Sequence, residues 1–179
     1  MKLNYISSSE KIDFLSSLNI GDNDKFIFIY SNKNYKISEN INVLLKSNIN
    51  KFPFEISCLL NFLPKIKEEE FYFLDFNHNI EESLTTFLKL NLENEIFSKD
   101  YYFLNNNLKD DVSICFSNYR DKVLFSSKYE SLISHGFPLI IKGKDLIFII
   151  RFIKIFFDLN ILNYNIEGIF AILLKLKYG

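Results

Sequence analysis

The chain has 179 residues, 48% of them hydrophobic and 24% charged, with a formal net charge of −1. That is the size of one domain, residues 1–179, with enough apolar material for a core, and it excludes a wholly disordered chain. The 20 Phe and 10 Tyr, with no Trp, only 5 Gly and 3 Pro, match the output of an AT-rich gene, so aromatic richness does not by itself mark a stacking platform.

Residues 1–24 alternate polar and apolar positions weakly. Ile12, Phe14, Leu15 and Leu18 have spacings that predict a short helix, stopped by Gly21-Asp22-Asn23-Asp24. The run 25–30 is aromatic and β-branched, lies between turn formers, and is too short for a buried helix; it predicts a core strand. Ser38 and Glu39 before Ile41, Val43, Leu44 and Leu45 read as a capped helix start. A second helix is expected from Pro53, ending at Pro64.

The run 71–76 repeats the strand signature, and Asn79 with Glu82 forms a capping-box-like start to a helix through Leu92. Residues 101–104 predict a strand, and residues 112–126 a β-hairpin around Asn118-Tyr119-Arg120-Asp121. One or two helical turns are expected over 128–134, closed by His135-Gly136, then a strand or extended edge over 138–142. Residues 145–158 are apolar except for Arg151, Lys154 and the terminal acids, and predict a buried hydrophobic C-terminal helix. A membrane-spanning helix needs about 20 predominantly apolar residues without central charges, so no stable membrane insertion is expected. Residues 166–176 predict a last helix. The expected fold is α/β or α+β in a single domain with a mixed sheet.

Cys58 and Cys115 have mostly apolar neighbours and read as buried thiols of a reducing compartment. With an N-terminus lacking a signal-peptide core, they lead to the expectation of a cytoplasmic protein. The scattered glycines leave no phosphate loop or dinucleotide fingerprint, and no nucleophile elbow occurs. His78 and His135 have no cysteine, histidine or carboxylate neighbours at zinc spacing, so no metal, cofactor or catalytic residue is assigned. A pI of about 6.1 argues against nucleic-acid binding, which needs a basic surface.

Charge is unevenly spread. Residues 68–111 carry eleven carboxylates and three lysines, 3 − 11 = −8, while residues 1–67 sum to 9 − 6 = +3 and 112–179 to 9 − 5 = +4. Glu68, Glu69, Glu70, Glu81, Glu82, Asp110 and Asp111 are the candidate contacts of an acidic surface for a basic protein partner. Glu81 and Glu82 also have a structural explanation, since a helix dipole favours carboxylates in the first turn.

In size and composition, with no shared motif, the chain resembles the immunity proteins of bacterial contact-dependent growth-inhibition (polymorphic toxin) systems. That resemblance implies an inhibitor that neutralises a toxic nuclease domain, itself basic, by direct binding through an acidic surface. Two other readings stay open: a small enzyme with a site near Asp75 and His78, at the end of a strand, and a peripheral membrane or assembly component using the apolar C-terminal segment.

Overall fold

The computed structural model describes residues 2–9, 11–31, 36–45, 54–76, 80–90, 101–105 and 136–158, and positions 169, 170, 173, 174 and 177. In chain order the described elements are β1 (Leu3–Ser8), β2 (Lys25–Ser31), β3 (Lys36–Ser38), β4 (Ile41–Leu45), α1 (Phe54–Phe62), β5 (Phe71–Leu74), α2 (Ile80–Lys89), β6 (Tyr101–Asn105), β7 (Gly136–Lys142) and α3 (Gly143–Asp158). Short 3-10 turns lie at Asp13–Ser17 and Leu63–Lys65. The five positions near the C-terminus are helical.

The strands form one seven-stranded mixed sheet in the order β3-β4-β2-β1-β5-β7-β6. Strands β4, β2, β1 and β5 are parallel; β7 runs antiparallel between β5 and β6, and β3 pairs antiparallel with β4. Both faces are covered. On one face Ile6, Tyr30, Tyr72, Leu74, Leu139 and Ile141 pack against α1, α3 and the C-terminal helical positions. On the other, Tyr5, Ile27, Ile29, Val43, Phe73 and Ile140 pack against Leu84 and Phe87 of α2 and against Leu15. Strands buried on both faces read as continuous apolar runs rather than alternations, which is why residues 25–30 and 71–74 stand out in the sequence.

Two elements differ from the sequence expectation. Residues 41–45, expected as a helix, are strand β4: Ile41 and Val43 lie on one face and Leu44 on the other, a period of two that β-branched residues favour. Ser38 then ends β3, opposite Ile41, and Glu39 and Asn40 are a hairpin turn rather than the start of a helix; the Asn40 carbonyl accepts from the Ile27 amide at 2.8 Å. Residues 3–8, expected as a weak alternation before a helix, form the strand between β2 and β5. Its polar residues Asn4 and Ser7 are buried with partners. Asn4 Nδ2 donates to Glu70 Oε2 (3.0 Å) and the Phe71 carbonyl (3.2 Å), and Ser7 Oγ donates to the Asp75 carbonyl.

The expected strands at 25–30, 71–76 and 101–104 and the helices from Pro53, at 79–92 and at 145–158 all find counterparts. Residues 138–142 are an interior strand. Pro138, which has no amide hydrogen, lies beyond the last β5 pair (Leu74 with Leu139) and where the β6 register shifts, so no ladder bond is lost. The expected hairpin at 112–126, the turns at 128–134, His78, Cys115 and His135 lie outside the described residues. Among the described residues no helix is long and apolar enough to cross a membrane.

Buried tyrosines give the fold an alkaline limit. Burial raises the Tyr72 phenol to about 12, opposed by the hydrogen bond from the Lys67 amide and reinforced by the Glu70 carboxylate. Burial also raises Tyr5 and Tyr30. A folded pKa above the unfolded value of 10.0 means the native state keeps a proton that the unfolded chain releases. The stabilisation is therefore complete below pH 10 and falls as pH rises towards 12, by up to about 1.4 kcal/mol per pH unit for each tyrosine. Circular-dichroism melts across this range should show Tm falling from pH 10 upward, with a shallower fall for Tyr72→Phe. An identical slope in that variant would remove Tyr72 from the account.

Candidate functional site at the carboxyl edge of the sheet

Starting from β1, the chain proceeds to β2 and β4 on one side, then returns through α1 to β5 on the other. Strand order thus reverses between β1 and β5. In open α/β sheets ligands bind outside the carboxyl ends of the strands at such a reversal. Here those ends carry Ser7 and Ser8 on β1, Tyr30 and Ser31 on β2, and Asp75 directly after β5.

Asp75 is 1% exposed, and its backbone is fixed on both sides. Its amide donates to the Ile6 carbonyl at 3.2 Å, and its own carbonyl accepts from Ser7 Oγ. Tyr5 OH and Ser83 Oγ share a hydrogen bond that ties β1 to α2. Burial raises the Tyr5 phenol, the Ser83 bond opposes this, and the Asp75 carboxylate adds to it. Tyr5 therefore remains a neutral hydroxyl at any physiological pH and is no base. Ser9, half-buried just beyond β1, donates its amide to the Tyr30 carbonyl at 3.1 Å. The edge combines serine hydroxyls with a buried carboxylate.

The acidic candidates from the sequence divide into two groups. Glu81 and Glu82 are exposed in the first turn of α2, which follows the carboxyl end of β5, so they share the edge with Asp75. Glu55, in the first turn of α1, joins them, because α1 crosses from the carboxyl end of β4 to the start of β5. Glu68, Glu69 and Glu70 form the turn before β5 and lie at the opposite edge. The α2 helix runs between the two edges: Lys25, at the start of β2, donates from Nζ to the Leu88 carbonyl at 2.7 Å, near the helix's C-terminus.

At that amino edge the glutamates sit among lysines. Glu70 Oε1 lies 3.6 Å from Lys67 Nζ, and its other oxygen accepts from Asn4 and from Tyr72 OH (3.4 Å). Glu69 Oε2 lies 3.5 Å from Lys142 Nζ with its side chain 86% exposed, an exposed pair of the kind that contributes about 0–1 kcal/mol. The Glu68 and Glu70 carbonyls accept from the Lys144 and Gly143 amides at 3.2 and 2.8 Å, satisfying amides at the start of α3. This turn has a structural task. The structure therefore places Glu81, Glu82 and Glu55 at the same edge as Asp75, with α2 on one face of the sheet and α1 on the other, and places Glu68–70 at the opposite edge. Asp110 and Asp111 lie outside the described residues.

Sequence reasoning missed Tyr5, Ser7 and Ser83. The serines at 7–9 read as a polar N-terminal segment, and the one available signal was the β-prone run of Leu3, Tyr5 and Ile6. Among the described residues no three His, Cys, Asp or Glu side chains cluster to hold a metal ion.

Fold and edge together define an α/β protein with a mixed sheet covered on both faces and serines and carboxylates at its strand-order reversal. Compared with known proteins, no family model matches the chain, and no curated protein matches it.

Proposed function

We propose that the chain binds a small polar ligand at the carboxyl edge between β1 and β5. The observation that carries this reading is the position of Asp75, a buried carboxylate bonded through its backbone to β1 at the point where strand order reverses. With Glu55, Glu81 and Glu82 at the same edge, the site favours ligands rich in hydroxyl or ammonium donors and repels bare anions. Turnover would add an acid–base group to this site, and Asp75 is its first candidate.

The test is ligand-observed NMR with a hexose, a nucleoside, spermidine and Mg²⁺ as probes. At least one probe should respond with the wild-type protein, lose its response in Asp75→Asn, and keep it in Glu69→Gln at the opposite edge. A response that survives Asp75→Asn would overturn the reading.

A second reading follows from the exposure of Glu81 and Glu82, segregated from the lysine-bearing amino edge: an immunity protein that neutralises a basic toxin nuclease domain by direct binding. It predicts that Glu81→Lys with Glu82→Lys slows association with such a domain, and that added salt slows the wild type, since the Debye length is about 8 Å at 0.15 M. The small-ligand reading predicts that the same double variant leaves a neutral probe, the hexose or the nucleoside, bound and weakens a cationic one. Salt-independent capture would count against the immunity reading.

A further inference from the structure

The outer face of α3 is the part of the described surface that neither the core nor the carboxyl edge accounts for. Its inner face is complete, with Leu146, Ile149, Ile150 and Ile153 all in the core. Outward, Phe152 is 37% and Ile155 52% exposed. Phe148 is half-buried one turn earlier, its ring 4.5 Å from that of Phe152. Positions 148, 152 and 155 follow the helical i, i+4, i+7 spacing, so these three form one stripe. The exposed neighbours on the same side are Lys144, Arg151 and Lys154, and Lys177 Nζ lies 4.9 Å over the Phe148 ring. Against these cations stands Asp158, exposed at the last turn; Asp145 is buried and accepts from Lys177.

We infer that this face docks on an anionic lipid surface. The charge argues for the sign of the partner: three exposed cations against the one exposed carboxylate, Asp158, leave an excess of two that attracts an anionic leaflet, each unit strengthening binding about fivefold. The apolar pair argues for its nature. Phe152 and Ile155 project from a convex helix and reach the interfacial region of a bilayer, which deforms to receive them without a matching pocket. The helix lies on the surface and does not cross it, in keeping with its 16 residues and its buried inner face. This inference is independent of the site at the carboxyl edge.

The experiment is co-sedimentation of the full chain with phosphatidylcholine vesicles and with mixed phosphatidylcholine–phosphatidylglycerol vesicles. The wild type should pellet with the anionic vesicles, fail to pellet with the neutral ones, and be released by salt. Arg151→Glu with Lys154→Glu should weaken binding by more than about 25-fold, from two lost attractions of about fivefold each and the repulsion that replaces them. Phe152→Ser with Ile155→Ser should weaken it at unchanged charge. If either pair lowers the melting temperature, Arg151→Ala with Lys154→Ala supplies the milder comparison. A wild type that ignores anionic vesicles, or binding that both pairs leave intact, overturns the inference. So does a dimer that the same variants dissolve, which would make this face an interface between copies.

Discussion

Replacing Gly143 with alanine should lower Tm by roughly 6–12 °C, corresponding to about 3 kcal/mol for a chain of this size. Gly143 is the first residue of α3, entered directly from β7 with no intervening loop. A Cβ added there would overlap the Lys67 carbonyl oxygen, approach the Lys67 carbonyl carbon at 2.8 Å and touch the Tyr72 ring at 3.1 Å. The first two are backbone atoms, and neither can turn aside. The Lys67 carbonyl accepts from the Glu70 amide at 3.2 Å, while Gly143 is drawn towards the same turn by its 2.8 Å bond to the Glu70 carbonyl. The clash must therefore be relieved by moving either the turn before β5 or the start of α3, and each movement breaks a hydrogen bond that the other holds. Overpacking costs typically about 1–3 kcal/mol, and a backbone clash belongs at the upper end. Gly21→Ala is the control, because nothing lies within 4 Å of an added Cβ there; its effect should stay within about 0.5 kcal/mol. Equal melting temperatures for the two variants would show that the turn yields freely.

The same junction explains why part of the fold could be read from the sequence and part could not. Strands β2 and β5 and helix α3 are continuous apolar runs, since both sides of each strand and most of the helix are covered. Strand β1 is equally buried but spends Asn4 and Ser7 on tying itself to β5. Long-range partners of this kind leave no trace in local hydropathy. Strand β4 was misread because Ser38 and Glu39 fit a helix cap as well as a hairpin turn; pairing with β2, a non-local term, decided between them.

The candidate site failed to emerge for a related reason. A block of carboxylates in sequence reveals net charge, but Glu70 and Glu81 are separated by β5, and a strand carries the chain from one edge of a sheet to the other. Of its described members, Glu70 and Glu69 meet Lys67 and Lys142 at the amino edge. Glu81 and Glu82 go to the edge that holds Asp75, itself in the block, and Glu55, which lies before it; neither of these two is among the acidic contacts that the charge pattern suggests.

Replacing Lys177 with methionine should destabilise the protein by about 3 kcal/mol, the lower end of the range for breaking a buried ion pair from one side. Asp145 is 0% exposed in the first turn of α3, and Lys177 Nζ, at a helical position near the C-terminus, donates to its Oδ1, with the lysine side chain 27% exposed. The burden is asymmetric. The lysine can swing its ammonium into water, but the carboxylate has no such route, so removing the cation leaves the larger desolvation penalty uncompensated. The dipole of α3 favours a carboxylate in its first turn and softens the loss, which is a further reason to place the effect at the lower end. Asp145→Asn should cost less than Lys177→Met, because the charge disappears with the partner. Asp145→Leu combined with Lys177→Met should recover much of the loss, as apolar replacement of both members of a buried pair often does. Urea unfolding of the three variants tests the sequence of effects. If Lys177→Met and Asp145→Asn proved equally mild, the pair would be incidental, and among the described residues the docking of the C-terminal helical positions would rest on Ile169, Phe170, Leu173 and Leu174.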